Sequence, residues 1–159
     1  MEIVKQLKER WQGIDYPFLI HSSGSLRFNE IANTHTIDLT DIQSGDVVAL
    51  IGDFDPQSIL TLLKLVDRKV ILVPLTVETK AQHEYFFNAA LVTVVIEGIN
   101  VRRINRTNKH QLIDALRDKG HAGLVLFSTG TTDRPKAILH DLTLFMKRFQ
   151  TQRPTLKTI

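Results

Sequence analysis

Four apolar runs of strand length recur along this 159-residue chain and alternate with segments of helical character. They are Val47-Val48-Ala49-Leu50-Ile51, Val70-Ile71-Leu72-Val73, Leu91 to Ile96 and Leu124-Val125-Leu126-Phe127. A strand with one wet face alternates apolar and polar residues, so unbroken runs of this kind fit strands covered on both faces. Between them, Asp55 offers an N-cap oxygen and Pro56 takes the first helical position, where its missing N–H costs nothing. The helix that follows carries Ile59, Leu60, Leu62, Leu63, Leu65 and Val66 and is apolar nearly all round. Pro74 ends the second run. Thr79-Lys80-Ala81-Gln82 has the spacing of a capping box and predicts a helix through Phe87. A short helix from Gln111 to Arg117 is stopped by Gly120. This alternation predicts an α/β fold, a largely parallel sheet with helices on both faces. Ligands of such sheets gather beyond the carboxyl ends of the strands, which directs attention to the residues after each run.

The first third of the chain is less regular. Ile3, Val4, Leu7 and Trp11 share one face of an amphipathic helix. Phe18 to His21 and Leu26 to Phe28 flank Ser22-Ser23-Gly24-Ser25, a turn between two short strands. Residues 29 to 42 fit either a short helix at Ile31 and Ala32 or a strand at Ile37 and Leu39. No repeat or Pro/Gly-rich linker interrupts the chain, so residues 1–159 read as one folding unit.

Composition bounds the chemistry. With 43% hydrophobic and 23% charged residues the chain has the make-up of a folded globular domain. The absence of cysteine excludes disulfides, a thiolate nucleophile and Cys-ligated metal. No signal-peptide pattern and no run of ~20 apolar residues occurs, so the expectation is a cytoplasmic protein without a membrane span. Net charge is +3, yet the densest basic group, Arg102, Arg103, Arg106 and Lys109, lacks interleaved aromatics for base stacking and reads as a solvated face, not a nucleic-acid site. The histidines, His21, His35, His83, His110, His121 and His140, lack the i, i+4 pairing of zinc sites, so no metal site is expected. Asp53 and Asp55 read as a turn residue and a helix cap. Asp114, Arg117 and Asp118 read as a charged helix face.

The segment after the fourth run differs from all others. Phe127 leads into Ser128-Thr129-Gly130-Thr131-Thr132-Asp133-Arg134-Pro135-Lys136-Ala137, followed by the short strand Ile138-Leu139-His140 and by Asp141 as the cap of a helix through Phe149. The hydroxyls of Ser128, Thr129, Thr131 and Thr132 donate hydrogen bonds to oxyanions, Gly130 lets the backbone approach closely, and Arg134 and Lys136 add positive charge. The Walker spacing is absent and no helix starts after Lys136, so this is not a Walker P-loop; a hydroxyl-rich loop is by default a solvated turn, and the Pro-Lys and strand flanks favour a loop suited to phosphate groups, carried by a terminal hairpin.

The segment Leu126 to Ala137 resembles the hydroxyl-rich signature loop of AMP-forming adenylating ligases, the acyl-CoA synthetases, luciferases and peptide-synthetase adenylation domains. Ser25 to Ile31, Ser44 to Leu50 and the stretch from Leu62 through Val73-Pro74-Leu75 resemble, more weakly, the segments that precede that loop in the family. The resemblance covers about residues 25 to 145. It implies ATP-dependent activation of a carboxylic acid to an acyl-adenylate, with Mg²⁺ on the nucleotide and CoA as the acceptor that then takes the acyl group. It also implies that Ser128, Thr129, Gly130, Thr131, Thr132 and Lys136 contact the departing pyrophosphate, with Lys136 in the catalytic role. Asp133 and Ala137 stand where the family has Gly, and the turn at Asp67 to Lys69 lacks the customary Gly.

The family's adenine, ribose and Mg²⁺ segments and its distant C-terminal Lys have no counterpart here. The expectation is therefore that residues 1–159 form the N-terminal part of the large AMP-binding domain and are inactive alone, with apolar surface that favours self-association. Two other readings stay open from the residues: a freestanding nucleotide- or phosphate-binding module without catalysis, and a structural α/β domain.

Overall fold

The computed structural model describes residues 3–22, 24–34, 37–53, 55–107, 109–128 and 134–148. Helix α1 (Ile3–Arg10) is followed by the antiparallel pair β1 (Leu19–His21) and β2 (Gly24–Leu26) and by the short α2 (Phe28–Ala32). The chain then builds a six-stranded sheet from β3 (Val47–Ile51), β4 (Ile71–Leu75), β5 (Val94–Glu97), β6 (Asn100–Arg103), β7 (Gly123–Ser128) and β8 (Lys136–Asp141). Between these strands run α3 (Pro56–Asp67), a 3₁₀ segment (Val77–Gln82) leading into α4 (His83–Ala89), and α5 (Gln111–Asp118); α6 (Leu142–Lys147) follows β8.

The sheet order is β6-β5-β3-β4-β7-β8. Neighbours from β5 to β7 run parallel, and the two edge strands, β6 and β8, run antiparallel to theirs. All five residues of β3 are buried, as an unbroken apolar run requires. Alternate residues feed two cores. Val47, Ala49 and Ile51 pack with Phe86 and Phe87 of α4 and with Ile113 and Leu116 of α5. Val48 and Leu50 pack with Leu65 of α3 and with Leu39 and Ile42. Helices therefore cover both faces, as the sequence predicts. Residues 29 to 42 resolve into the short helix α2 and, beyond it, the buried Leu39 and Ile42 of the second core.

Helix α3 starts where the sequence places it, with the Asp55 carboxylate accepting from Ser58 N at 2.9 Å and Pro56 next in line. Helix α1 is held at its start by α3, since Ile3 N donates to Asp67 Oδ1 at 2.6 Å. Helices α3, α4 and α5 all end in the same way: the first residue past the cap is left-handed and the next N–H reaches back five residues. At α3, Lys69 (φ 57°) donates to Val66 O and Val70 to Leu65 O; at α4, Leu91 (φ 56°) and Val92 do the same; at α5, Gly120 (φ 61°) and His121 repeat it. This is the Schellman geometry, and only α5 meets it with glycine.

Three expectations need correction, and one edge strand carries no signal in the sequence. Strand β4 does not end at Pro74 but continues to Leu75. Ile71 N donates to Asp46 O on the β3 side. By the two-residue period, Pro74's nitrogen faces β7, and β4–β7 pairing has already ended at Leu72↔Leu124, so no ladder bond is lost. The capping box at Thr79 does not form: Thr79 Oγ1 donates to Thr76 O at 2.9 Å within a 3₁₀ turn, and α4 begins at His83. The polar stretch after Ile96 contains the edge strand β6. The basic group is structural as well as solvated, because Arg103 of β6 pairs with Asp46 at 3.0 Å and, beyond β6, Arg106 Nε donates to Val92 O at 2.7 Å.

Candidate functional site at the carboxyl edge of the sheet

Strands β3, β4, β5 and β7 point the same way, so the segments that leave them gather along one edge. Strand β7 pairs with β4 only at Ile71↔Gly123 and Leu72↔Leu124, whereas its pairing with β8 runs from Gly123↔Asp141 to Ser128↔Lys136. Beyond Leu124 the β7–β8 pair therefore continues without support from β4. Its last register pair sets Ser128 opposite Lys136, with Phe127 opposite Ala137 before it. Thr129, Gly130, Thr131, Thr132 and Asp133 connect them and lie outside the described residues.

The stem of this hairpin is anchored to α4. Phe86 and Phe127 stack with ring centroids 4.2 Å apart. The Tyr85 hydroxyl donates to Pro135 O at 2.7 Å, fixing the chain just before Lys136. The Arg134 guanidinium lies 5.9 Å from the centre of the Tyr85 ring, within the range of a cation–π contact. Lys136 is exposed and Ser128 half-buried. The described ends of the segment thus present one hydroxyl and two cations, a donor set suited to phosphate oxygens.

A second feature of the same edge joins residues that the sequence explains as turn, cap and hairpin to others that it does not single out. A cavity of about 630 Å³ opens beyond β3 and β5, lined by Gly52, Asp53 and Asp55 after β3, by Gln57, Ser58 and Thr61 of α3, and by Glu97 and Gly98 after β5; His21 and Ser22 of the β1–β2 hairpin also border it. Gly52 permits the close approach of β3 to α3, because a Cβ there would come within 2.3 Å of Ser58 Oγ. The rule that ligands gather beyond strand ends marks Asp53 and Glu97 in the sequence, but turn and cap chemistry accounts for Asp53 and Asp55 without any ligand.

Two of the histidines are tied into the fold. His83 is buried, with Nε2 2.9 Å from Thr76 O and 3.1 Å from Thr79 Oγ1. His121 Nδ1 meets Asp141 Oδ2 at 2.8 Å at the opposite edge of the sheet. Burial raises the Asp141 pKa, but the His121 hydrogen bond, the Leu144 N–H and the charges of His121 and Lys119 outweigh it and leave the carboxyl below its ordinary value. His140 is an exposed residue of β8 opposite Leu124. Among the described residues, no three His, Asp or Glu side chains converge as metal ligands and no helix is long and apolar enough to cross a membrane.

No protein-family profile and no curated protein sequence matches the chain. Solved structures do. The Klebsiella oxytoca NpsA N-terminal subdomain in complex with 3-hydroxyanthranilyl-AMSN is similar with a TM-score of 0.58 and 18% identity, over 86% of this chain and 39% of that one. VinN is similar with a TM-score of 0.58 and 16% identity, over 90% of this chain and 46% of that one. A complex of VinN with L-aspartate gives the same TM-score of 0.58, over 89% and 47%. This chain therefore spans less than half the length of the structures it resembles. At such identities the likeness is one of fold. The chain has the fold of part of the NpsA N-terminal subdomain and of part of VinN.

Proposed function

We propose that this chain supplies the phosphate-handling part of a site that activates a carboxylic acid with ATP. In that reaction a carboxylate oxygen attacks the α-phosphorus, the bond from that phosphorus to the bridging oxygen breaks, and pyrophosphate leaves from an acyl-adenylate. A thiol, CoA in this reading, then attacks the acyl carbon and AMP departs. Ser128, Thr129, Gly130, Thr131 and Thr132 hold the pyrophosphate oxygens. Lys136, the first residue of β8, offsets the charge that grows on them in the transition state.

The observation that carries this reading is the register Ser128↔Lys136 at the end of β7. It sets the hydroxyl that opens the signature segment across from the lysine that closes it, on a fold shared with NpsA and VinN. Mg²⁺ would travel with the nucleotide, since the described residues do not fit a metal cage. In this reading the adenine, ribose and acyl contacts come from outside residues 1–159, and these residues alone bind phosphate without activating an acid.

Calorimetric titration with ATP and with pyrophosphate tests the assignment. Both bind, and Lys136→Ala weakens pyrophosphate about tenfold, the loss expected of one charge-assisted contact. Heat indistinguishable from dilution for both ligands would leave a structural α/β domain as the reading.

A further inference from the structure

Helices α1 and α3 border a groove of about 620 Å³ that the phosphate-loop reading does not use. Its floor is apolar, made by Val4 of α1 and by Ile37 and Leu39 of the stretch that leads to β3. Leu39 is buried, whereas Val4 and Ile37 are half-buried and keep part of their surface open.

Both banks of the groove are basic. Lys5 and Lys8 stand on α1, Lys64 on α3 and Arg68 at the cap of α3. Three residues along a helix are a rise of about 4.5 Å and four a rise of about 6 Å, so each bank carries two cations one helical turn apart. Lys5, Lys8 and Arg68 are exposed and Lys64 is half-buried, which sets the charges above the apolar floor. Two carboxylates also border the groove, Asp38 and Asp67, and both are engaged within the chain. Asp67 accepts from Ile3 N at 2.6 Å and from Val4 N at 3.4 Å, which ties the start of α1 to the end of α3. Asp38 accepts from Thr40 Oγ1 at 2.5 Å and from Thr40 N at 2.9 Å. Four cations against two carboxylates leave the rim with an excess of two positive charges. Arg68 gives one N–H to Ile42 O at 3.3 Å and keeps its other donors.

An apolar floor between two basic banks selects its occupant by shape and charge. A fatty carboxylate carries its charge at one end and leaves most of the rim unanswered. A bilayer surface is flat and does not reach a floor recessed between two helices. An amphipathic helix with an apolar stripe and acidic residues on both flanks meets both conditions. Its carboxylates recur at three and four residues, the same interval as the cations of each bank.

We propose that this groove binds an acidic amphipathic helix of a partner protein. The apolar stripe of that helix covers Val4, Ile37 and Leu39, and its carboxylates meet Lys5 and Lys8 on one bank and Lys64 and Arg68 on the other. None of these residues belongs to the segment from Ser128 to Lys136, so the proposal stands apart from the phosphate-loop reading.

The test is fluorescence anisotropy of a labelled synthetic helix of about four turns, with Leu at i, i+3, i+4 and i+7 and Glu on both sides of that stripe, titrated with the 159-residue chain. The expected result is saturable binding that weakens as salt is raised. A peptide with Lys in place of Glu does not bind, and one with Ser in place of Leu binds at least fivefold more weakly. Lys8→Glu with Lys64→Glu, one change on each bank, weakens the acidic peptide about tenfold or more. Lys80→Glu with Lys109→Glu, an equal change of charge outside the groove, alters it less than about twofold. Circular dichroism establishes that both double variants fold; Lys5→Gln with Lys8→Gln, both exposed, replaces the reversal if it unfolds the chain and should weaken the peptide about threefold or more. Absence of saturable binding, binding of the Lys peptide, unchanged affinity in the groove variant or an equal loss in the outside variant overturns the proposal. Groove-dependent binding of decanoate, or of phosphatidylserine–phosphatidylcholine vesicles, that excludes the peptide overturns it as well.

Discussion

Replacing Lys69 by glycine should stabilise this protein, although Lys69→Gly adds no contact. Lys69 follows the cap of α3 with φ 57°, donates to Val66 O at 3.0 Å and accepts from Gly45 N at 3.1 Å, all through its backbone. Its side chain is exposed. An L residue in the left-handed region costs about 1–2 kcal/mol, and the extra freedom of glycine in the unfolded chain costs about 0.5–1 kcal/mol. The difference is a gain of about 0.5–1 kcal/mol, or about 1–4 °C in Tm for a domain of this size. Gly120 supplies the mirror experiment. It occupies the same position after α5 with φ 61°, and a Cβ there meets nothing within 4 Å, so Gly120→Ala isolates the conformational cost and should lose about 1 kcal/mol. Urea unfolding followed by the fluorescence of Trp11 and by circular dichroism measures both. A Lys69→Gly protein less stable than the parent, or a neutral Gly120→Ala, would refute the argument that backbone conformation governs these helix ends.

Three further outcomes follow from named contacts. Tyr85→Phe keeps the ring beside Arg134 but removes the hydrogen bond to Pro135 O; it should cost about 0.5–1.5 kcal/mol in urea unfolding and weaken pyrophosphate in calorimetry, because the loop's exit is no longer pinned. Asp141 has a folded pKa below its ordinary value, so its contribution is fully present above about pH 4 and is lost as pH falls through the carboxylate range. Comparing urea midpoints at pH 6 and pH 3 should therefore show a smaller acid loss in Asp141→Asn than in the parent, and equal losses would contradict the role given to the His121 pair. Leu126 and Ile138 face each other across β7 and β8 and are each 43% exposed. Sedimentation should show concentration-dependent self-association that Ile138→Glu abolishes, and a parent that stays monomeric at high concentration would remove that expectation.

The parallel core was legible because its strands are buried on both faces and so read as unbroken runs. The start of α3 was legible because Asp55-Pro56 states a cap and a first turn in two residues. The edges were not. Strand β6, Asn100 to Arg103, is exposed at all four positions, so it carries no apolar period, and it is held by its turn and by Arg103 reaching Asp46 across the sheet. Pro74 read as a strand end because local rules forbid proline in a central ladder; its tolerance depends on where β7 stops pairing, a tertiary fact. The helix ends at Lys69 and Leu91 carried no glycine to announce them, whereas Gly120 did. The strand pairing that sets Ser128 opposite Lys136 was readable from the apolar run and the short strand on either side of the hydroxyl-rich segment. The cavity at Thr61 and Glu97 was not, since it exists only once β3 and β5, 46 positions apart at Val48 and Val94, lie side by side.

In the proposed reaction the segment from Ser128 to Lys136 handles the pyrophosphate of ATP during carboxylate activation. Carboxylate-dependent ATP–pyrophosphate exchange, run with a panel of fatty and aromatic acids on a protein that extends this chain to the length of VinN, measures it most directly. The account predicts exchange with at least one acid, a loss of about 10²-fold or more in Lys136→Ala with little change in acid KM, and no exchange by residues 1–159 alone. An unchanged exchange rate in Lys136→Ala, or robust turnover by the 159-residue chain, would contradict it.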